Sequence, residues 1–284
     1  MRRELFRIPG LDWPIYGYGT MVLLGFLLGY IYVIRAARRE GIPTEKVQDL
    51  PIWMVLSGLL GGRLFYFLQF YGDEFSGGRW TRVFKIWEGG LVFYGGMILG
   101  VLAFLLFCRR HKLPVLPMLD IMAPATAIGL GFGRIGCFLN GCCYGRECAA
   151  DAPFAVRFPE GSPPASALPD VTTGLSQWIH PTQLYSSVNA FLLALLLWAV
   201  WRRRPAPGTV IGLLFALYGV SRYVIEKIRG DHGVSEGFWT VSQTISLGAI
   251  TLGMGLFVFA HIGRRASNGA GGSPSGGALA GTPN

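Results

Sequence analysis

The stretch YGYGTMVLLGFLLGYIYVI, Tyr16 to Ile34, holds no charged residue and runs straight into Arg35, Arg38 and Arg39. A helix rises about 1.5 Å per residue and the hydrocarbon core of a bilayer is about 30 Å thick, so roughly 20 such residues cross it. Comparable stretches follow at Leu50 to Phe70, Leu91 to Cys108, Met118 to Leu139, Leu184 to Trp201, Gly208 to Ile228 and Trp239 to Ile262. At 51% hydrophobic and 14% charged residues over 284 positions, the chain is too apolar for an ordinary soluble domain. The sequence predicts an all-α, polytopic membrane helical bundle of about seven transmembrane helices. Arg63 in the second stretch and Arg222, Glu226 and Lys227 in the sixth leave a six-span or re-entrant variant open. The first stretch lacks a small-residue cleavage site and is expected to be a retained helix. Residues 1–265 then form the transmembrane domain, with an outward-facing loop region at 141–179. The uncharged Gly, Ser, Ala and Pro tail, 266–284, is expected to be disordered.

Basic residues alternate between the connections. Arg35, Arg38, Arg39 and Lys46 form one group, followed by Arg109, Arg110 and Lys112, then Arg202, Arg203 and Arg204, then Arg264 and Arg265. Short cytoplasmic loops retain Lys and Arg, so this set is placed in the cytoplasm, with the N-terminus outside and the C-terminus inside. Arg2, Arg3 and Arg7 run against that placement. The net charge of +9 is therefore mainly a topology signal that also favours membrane lipid, and no nucleic-acid motif accompanies it.

A charge inside a span costs at least about 2.5–3.5 kcal/mol, so each one invites an explanation. With the orientation above, Arg63, Arg134, Asn140, Gln183, Arg222 and Glu226 all fall in the outer half of the membrane, where they can share one cavity. Tyr18 and Tyr94 start at the same depth, and His180 lies just outside the fifth span. Arg222 and Glu226 are four apart and face one side of a helix, with Arg229 about a turn further on; a purely structural ion pair is the plainer reading. Arg134 and Arg63 have no acid at helical spacing. Several guanidiniums from different helices suit a bound anion, because the fork matches phosphate oxygens, although Arg63 could simply snorkel to the interface. Glycines cluster beside these residues at Gly58, Gly61, Gly62, Gly89, Gly90, Gly95, Gly96, Gly129, Gly131, Gly133 and Gly136. They suit either close helix packing or irregular backbone lining a polar cavity.

Four cysteines crowd together as Cys137, Cys142, Cys143 and Cys148. They lack the paired C-x-x-C of structural zinc, and an oxidising outer face favours a disulfide among Cys142, Cys143 and Cys148 over a metal, with inert packing as the alternative. No metal or cofactor is expected.

The segment GFGRIGCFLNGCCYGR, Gly131 to Arg146, resembles the signature of the bacterial prolipoprotein diacylglyceryl transferases, Gly-Arg-x-Gly-Asn-Phe-x-Asn-x-Glu-x-x-Gly, matching it at Arg134, Gly136, Phe138, Asn140 and Gly145. YGTMVLLGF at Tyr18, GGRLFY at Arg63, WEGGLVFYGG around Tyr94, HPTQLY at His180 and YGVSRYVIE with Arg222 and Glu226 extend the resemblance in order along nearly all of the chain. It implies a transferase of the bacterial cytoplasmic (inner) membrane that moves the diacylglyceryl group of phosphatidylglycerol to the lipobox cysteine of a prolipoprotein signal peptide, releasing glycerol phosphate. Membrane depth together with these motifs makes Arg134, Arg222, Tyr94 and Glu226 the residues expected in catalysis, and Tyr18, Arg63, Asn140, Gly145, His180, Gln183 and Arg229 those expected in substrate binding. The chain departs from the family pattern at Cys137 for Asn, at Cys142 for Glu, and at Tyr94 where many members carry His. Cys137 and Cys142 are expected to be packing or disulfide residues and not acyl carriers. Two other classes stay open. A lipid or organic-anion transporter needs polar residues reaching both faces, whereas the inner halves of these spans are apolar; a non-catalytic lipid-binding relative would account for the three departures.

With no histidine at position 94, the expected role of Tyr94 is to position the donor through its hydroxyl. Tyr94→Phe should lower turnover moderately and leave the pH–rate profile in place; a large loss with a displaced alkaline limb would make Tyr94 the proton carrier instead.

Overall fold

The computed structural model describes residues 4–10, 12–72, 83, 85, 89–230 and 240–270. Trp239, at the expected start of the last span, lies outside them, as do Trp87 and Glu88 of the third-span motif and 271–284 of the tail. Among the described residues seven helices are long and apolar enough to cross a membrane. They are α1 (Gly17–Arg39), α2 (Thr44–Gln69), α3 (Phe93–His111), α4 (Val115–Asn140), α6 (Thr182–Arg202), α7 (Thr209–Glu226) and α8 (Val241–Ala270), with the short α5 (Pro163–Ala167) between α4 and α6. The second and sixth expected spans are thus continuous helices. α2 begins six residues before the apolar stretch, at Thr44 against Leu50, because its polar first turns continue the same helix behind the Pro43 N-cap. α8 carries helix into the segment expected to be disordered, as far as Ala270.

A small antiparallel hairpin, β1 (Glu4–Ile8) and β2 (Trp13–Tyr16), precedes α1. Its turn uses left-handed backbone at Gly10 and Asp12. Arg7 pairs there with Glu4 at 3.2 Å and Asp12 at 3.1 Å, which neutralises one of the N-terminal charges that oppose the proposed orientation.

Large apolar side chains such as Leu60, Leu68, Leu195 and Phe259 are exposed along the spans, as expected of faces solvated by lipid tails. Lipid gives little drive for helix association, so close packing of small residues must supply it.

The chain forms two compact units, residues 30–121 and residues 1–29 with 122–284. In the first, α2 packs on α3. A Cβ at Gly61 would strike the Gly95 carbonyl and one at Gly96 the Gly58 carbonyl, so these glycines serve close approach. Arg63, 7% exposed, is bound by the connection between the helices. Its Nε donates to Val83 O at 2.8 Å, Nη1 to Gly90 O at 2.9 Å and to Gly89 O, and Nη2 to Lys85 O at 3.1 Å. The guanidinium also lies 5.3 Å from the Tyr66 ring centroid. Gly89 and Gly90 are left-handed, and a Cβ on Gly90 would meet that ring.

In the second unit α7 packs on α8 and on α6. α4 is held to α6 by Ser187 Oγ donating to Gly131 O at 2.9 Å and by the edge-to-face pair Phe132 and Phe191, with centroids 5.3 Å apart. Gly25 lies against Gly129 and Phe132, and Gly136 against Tyr18, so α1 and α4 also meet closely. Beyond α4, the loop region encloses its own core of Tyr144, Phe158 and Ile179, with Phe138, Val156 and Leu168 packed around it. Arg157 pins this region through Ser176 O, Asp170 and Thr173. The backbone N–H of Thr172, the Thr173 hydroxyl and Arg157 hold the Asp170 carboxyl below its ordinary pKa.

Gly61→Val should destabilise the protein by about 1–3 kcal/mol through overpacking. A Cβ at Gly100, on the partner helix α3, would meet nothing within 4 Å, so Gly100→Ala should leave the detergent Tm unchanged or higher; equal Tm values for the two variants would refute the α2–α3 packing role.

Candidate functional site

Three segments of the second unit converge at one end of its helices. α4 ends at Asn140, α6 starts at Thr182 and α7 ends at Glu226. The backbone beyond them forms a short ladder: Gly145 N donates to His180 O at 3.0 Å, His180 N to Arg146 O at 3.1 Å, Arg146 N to Ile228 O at 2.8 Å and Gly230 N to Tyr144 O at 3.1 Å. Gly145 sits in its centre, where a Cβ would collide with the His180 carbonyl oxygen. The sequence reading placed Gly145 among the binding residues; its geometry explains why no larger residue fits. Arg146 adds a bond from Nε to Arg229 O at 3.2 Å, which fixes the segment after α7.

Below this ladder lies the charge cluster. The Glu226 side chain is 1% exposed, and its Oε2 lies 2.9 Å from Arg222 Nη2 and 3.8 Å from Arg229 Nη1. Arg222 also feels the positive charges of Arg229 and Arg134. Its second nitrogen, Nη1, is buried with no hydrogen-bond partner among the described residues. Arg134 reaches the same place from α4, with the Tyr218 hydroxyl at hydrogen-bonding range. A narrow cavity of about 10 Å³ is lined here by Arg134, Ser186, Asn189, Tyr218, Ser221 and Arg222 together with Leu130, Ala190 and Ile225. Asn189 Nδ2 donates to Ser221 Oγ at 3.0 Å. Among the described residues, Arg134, Arg222 and Arg229 thus gather around the Glu226 carboxylate, and the guanidinium fork is of a kind that matches phosphate oxygens.

Tyr218, Ser186, Asn189 and Ser221 escaped sequence reasoning. Their signal was helical spacing: Ser186 and Asn189 three apart on α6, and Tyr218, Ser221, Arg222 and Ile225 on one face of α7.

The remaining predicted residues divide. Tyr18, at the start of α1, lies within electrostatic range of Arg134, Cys137, Cys142 and Cys143. Asn140 is exposed and lines a larger cavity of about 150 Å³ with Gly141, Phe158, Pro159, Glu160 and Ser162. His180 faces Tyr185, Nδ1 to Oη 3.3 Å. Gln183 is fully buried and donates through Nε2 to Cys142 O at 2.9 Å, so it anchors the signature turn. Arg63 and Tyr94 belong to the other unit, where Arg63 holds the connection described above and Tyr94 is half-exposed beside Phe93, with ring centroids 5.8 Å apart.

All five cysteines are free thiols. Cys137, Cys142 and Cys143 come together with their sulfurs within 4.8 Å of one another, and Cys148 stands outside that group, hydrogen-bonded through its N–H to Trp178 O at 2.8 Å. Burial raises the pKa of the Cys148 thiol, and the neighbouring Glu147 adds to the effect.

The sequence model of the family described as "Prolipoprotein diacylglyceryl transferase" matches residues 3–259. The chain is similar to the phosphatidylglycerol–prolipoprotein diacylglyceryl transferase of Clostridium tetani, at 36% identity over 259 residues covering 91% of this chain and 97% of the relative. The Geobacter sulfurreducens protein of that name is 35% identical over 89% of this chain and 93% of its own. The corresponding figures for that of Gloeobacter violaceus are 35%, 83% and 85%. With the matched region spanning the α4 signature, the His180 segment and the α7 charge cluster, the chain belongs to the prolipoprotein diacylglyceryl transferase family.

Proposed function

We propose that this chain transfers the diacylglyceryl group of phosphatidylglycerol to the lipobox cysteine thiol of prolipoproteins, with Arg134 and Arg222 holding the donor phosphate. The observation that carries this assignment is the buried, unpartnered Nη1 of Arg222 in a cavity it shares with Arg134. A buried donor without an acceptor is costly, and a phosphate oxygen satisfies it. The cavity is water-sized, so a phosphate would need the Arg134 and Arg222 side chains to part before closing on it.

The thiolate sulfur attacks the glyceryl carbon bonded to phosphate. A carbon–sulfur bond forms, the carbon–oxygen bond breaks, and its electron pair leaves on glycerol phosphate. The phosphate gains negative charge as that bond breaks, so fixed guanidiniums stabilise the transition state more than the bound donor. Tyr218 orients Arg134, and Glu226 orients Arg222 and Arg229; its carboxylate is committed to those two, so it is a positioning group and not the base. The thiol proton goes to the aqueous side, and the nearby guanidiniums of Arg134 and Arg222 favour the thiolate. Tyr18 and Asn140 border the path of the acceptor, with Asn140 opening on the larger cavity under the loop region. His180 and Gly145 shape the ladder above it. The ladder end of the helices faces outward from the bacterial cytoplasmic membrane and the C-terminus faces the cytoplasm, which admits a signal-peptide-tethered thiol from the outer side.

Arg134→Gln and Arg222→Gln should each lower transfer of labelled glyceryl lipid to a lipobox peptide by about 100-fold or more, at unchanged abundance in the membrane. Lys at either position should restore little, since a point charge lacks the bidentate fork. Near-normal turnover in both Gln variants would refute the assignment.

A further inference from the structure

The cysteine cluster has no part in the reaction above, yet the fold builds it with care. α4 ends on a turn in which Gly141 N and Cys142 N both donate to Cys137 O, at 2.9 and 3.1 Å. Gly141 and Cys143 are both left-handed, with φ of 78° and 60°. A left-handed non-glycine residue costs about 1–2 kcal/mol, and such strain persists only where the surroundings impose it. Here they do: buried Thr182 donates through Oγ1 to Cys143 O at 2.8 Å, and buried Gln183 through Nε2 to Cys142 O at 2.9 Å. The result is three thiols from one turn, half-buried, with their sulfurs within 4.8 Å of one another. A trigonal or tetrahedral ion with metal–sulfur bonds of about 2.3 Å needs sulfurs about 3.8–4.0 Å apart, a contraction of no more than about 1 Å.

We propose that Cys137, Cys142 and Cys143 form a three-thiolate site for one thiophilic d¹⁰ cation of the Zn²⁺ or Cd²⁺ class. On binding, three S–H groups release their protons to solvent and three metal–sulfur bonds form, which leaves a net charge of −1 around a divalent ion. Arg134 and Arg229, both within electrostatic range of Cys143, offset that charge. A water completes the coordination. No oxidant is needed, whereas a disulfide would need one and would leave the third thiol unpaired. The bound ion cross-links the end of α4 to the turn that leads into Gly145, at the two positions where Cys137 and Cys142 stand in place of the family's Asn and Glu. The site does not depend on the transferase reading, and its test uses neither donor nor acceptor.

The test is Cd²⁺ titration of the reduced full-length protein in detergent, followed by the ultraviolet thiolate-to-cadmium charge-transfer band. One Cd²⁺ should bind per chain. Cys137→Ser, Cys142→Ser and Cys143→Ser should each weaken binding by more than the 10–100-fold typical of losing an outer-shell partner, and Cys148→Ser should not. A second measurement needs no variant: Cd²⁺ should protect Cys137, Cys142 and Cys143 of the unaltered chain from maleimide, while Cys148 stays reactive, as read by peptide mass spectrometry. Absence of stoichiometric binding, a band that tracks Cys148, or a disulfide joining two of the three thiols in the reduced preparation would each overturn the proposal.

Discussion

A carboxylate almost wholly shut away from solvent, Glu226, is gripped by Arg222 and Arg229, with Arg134 close by. Charges at membrane depth are expensive unless paired. Arg222 Nη1, buried with no hydrogen-bond partner among the described residues, is the donor that the proposed phosphate would satisfy. The cluster lies at the end of α7, a depth that a phospholipid headgroup reaches with its acyl chains still in lipid. The charge cluster thus sets the demand, and the surrounding fold is arranged to keep it from collapsing.

That arrangement is made of backbone. The ladder through Gly145, His180, Arg146, Ile228 and Gly230 ties the ends of α4 and α7 to the start of α6. It works only because Gly145 lacks a side chain. Gln183 and Thr182 then fix the signature turn from beneath by taking up the carbonyls of Cys142 and Cys143. In the other unit Arg63 does the same for the α2–α3 connection, placing its guanidinium on the backbone carbonyls of Val83, Lys85 and Gly90. Polar side chains near the membrane surface therefore have two distinct uses in this molecule. Some satisfy irregular backbone, and others remain available to a ligand.

Sequence could not separate those uses. The spans were legible because lipid imposes a length and a composition, and the Arg222–Glu226 pair because four-residue spacing places both on one helix face. The family motifs were legible as fixed residue patterns. By contrast the carbonyl partners of Arg63 lie 20–27 residues away in the chain, so its hold on the α2–α3 connection has no signature in local spacing. The Cys142 partner of Gln183 is likewise 41 residues distant. The expected disulfide grouped Cys148 with Cys142 and Cys143 by proximity in sequence, whereas the left-handed turn after α4 folds Cys142 and Cys143 back onto Cys137. Tyr218, Asn189 and Ser221 are ordinary polar residues until packing turns them toward one cavity.

The central claim is the proposal that Arg134 and Arg222, beside Glu226, hold a lipid phosphate. It is tested most directly by an experimental density map of the chain in nanodiscs containing phosphatidylglycerol. The account predicts a phosphate peak with oxygens about 2.7–2.9 Å from guanidinium nitrogens of both Arg134 and Arg222. A phosphate resolved away from both residues, with Arg222 Nη1 occupied by water or by protein, would contradict it.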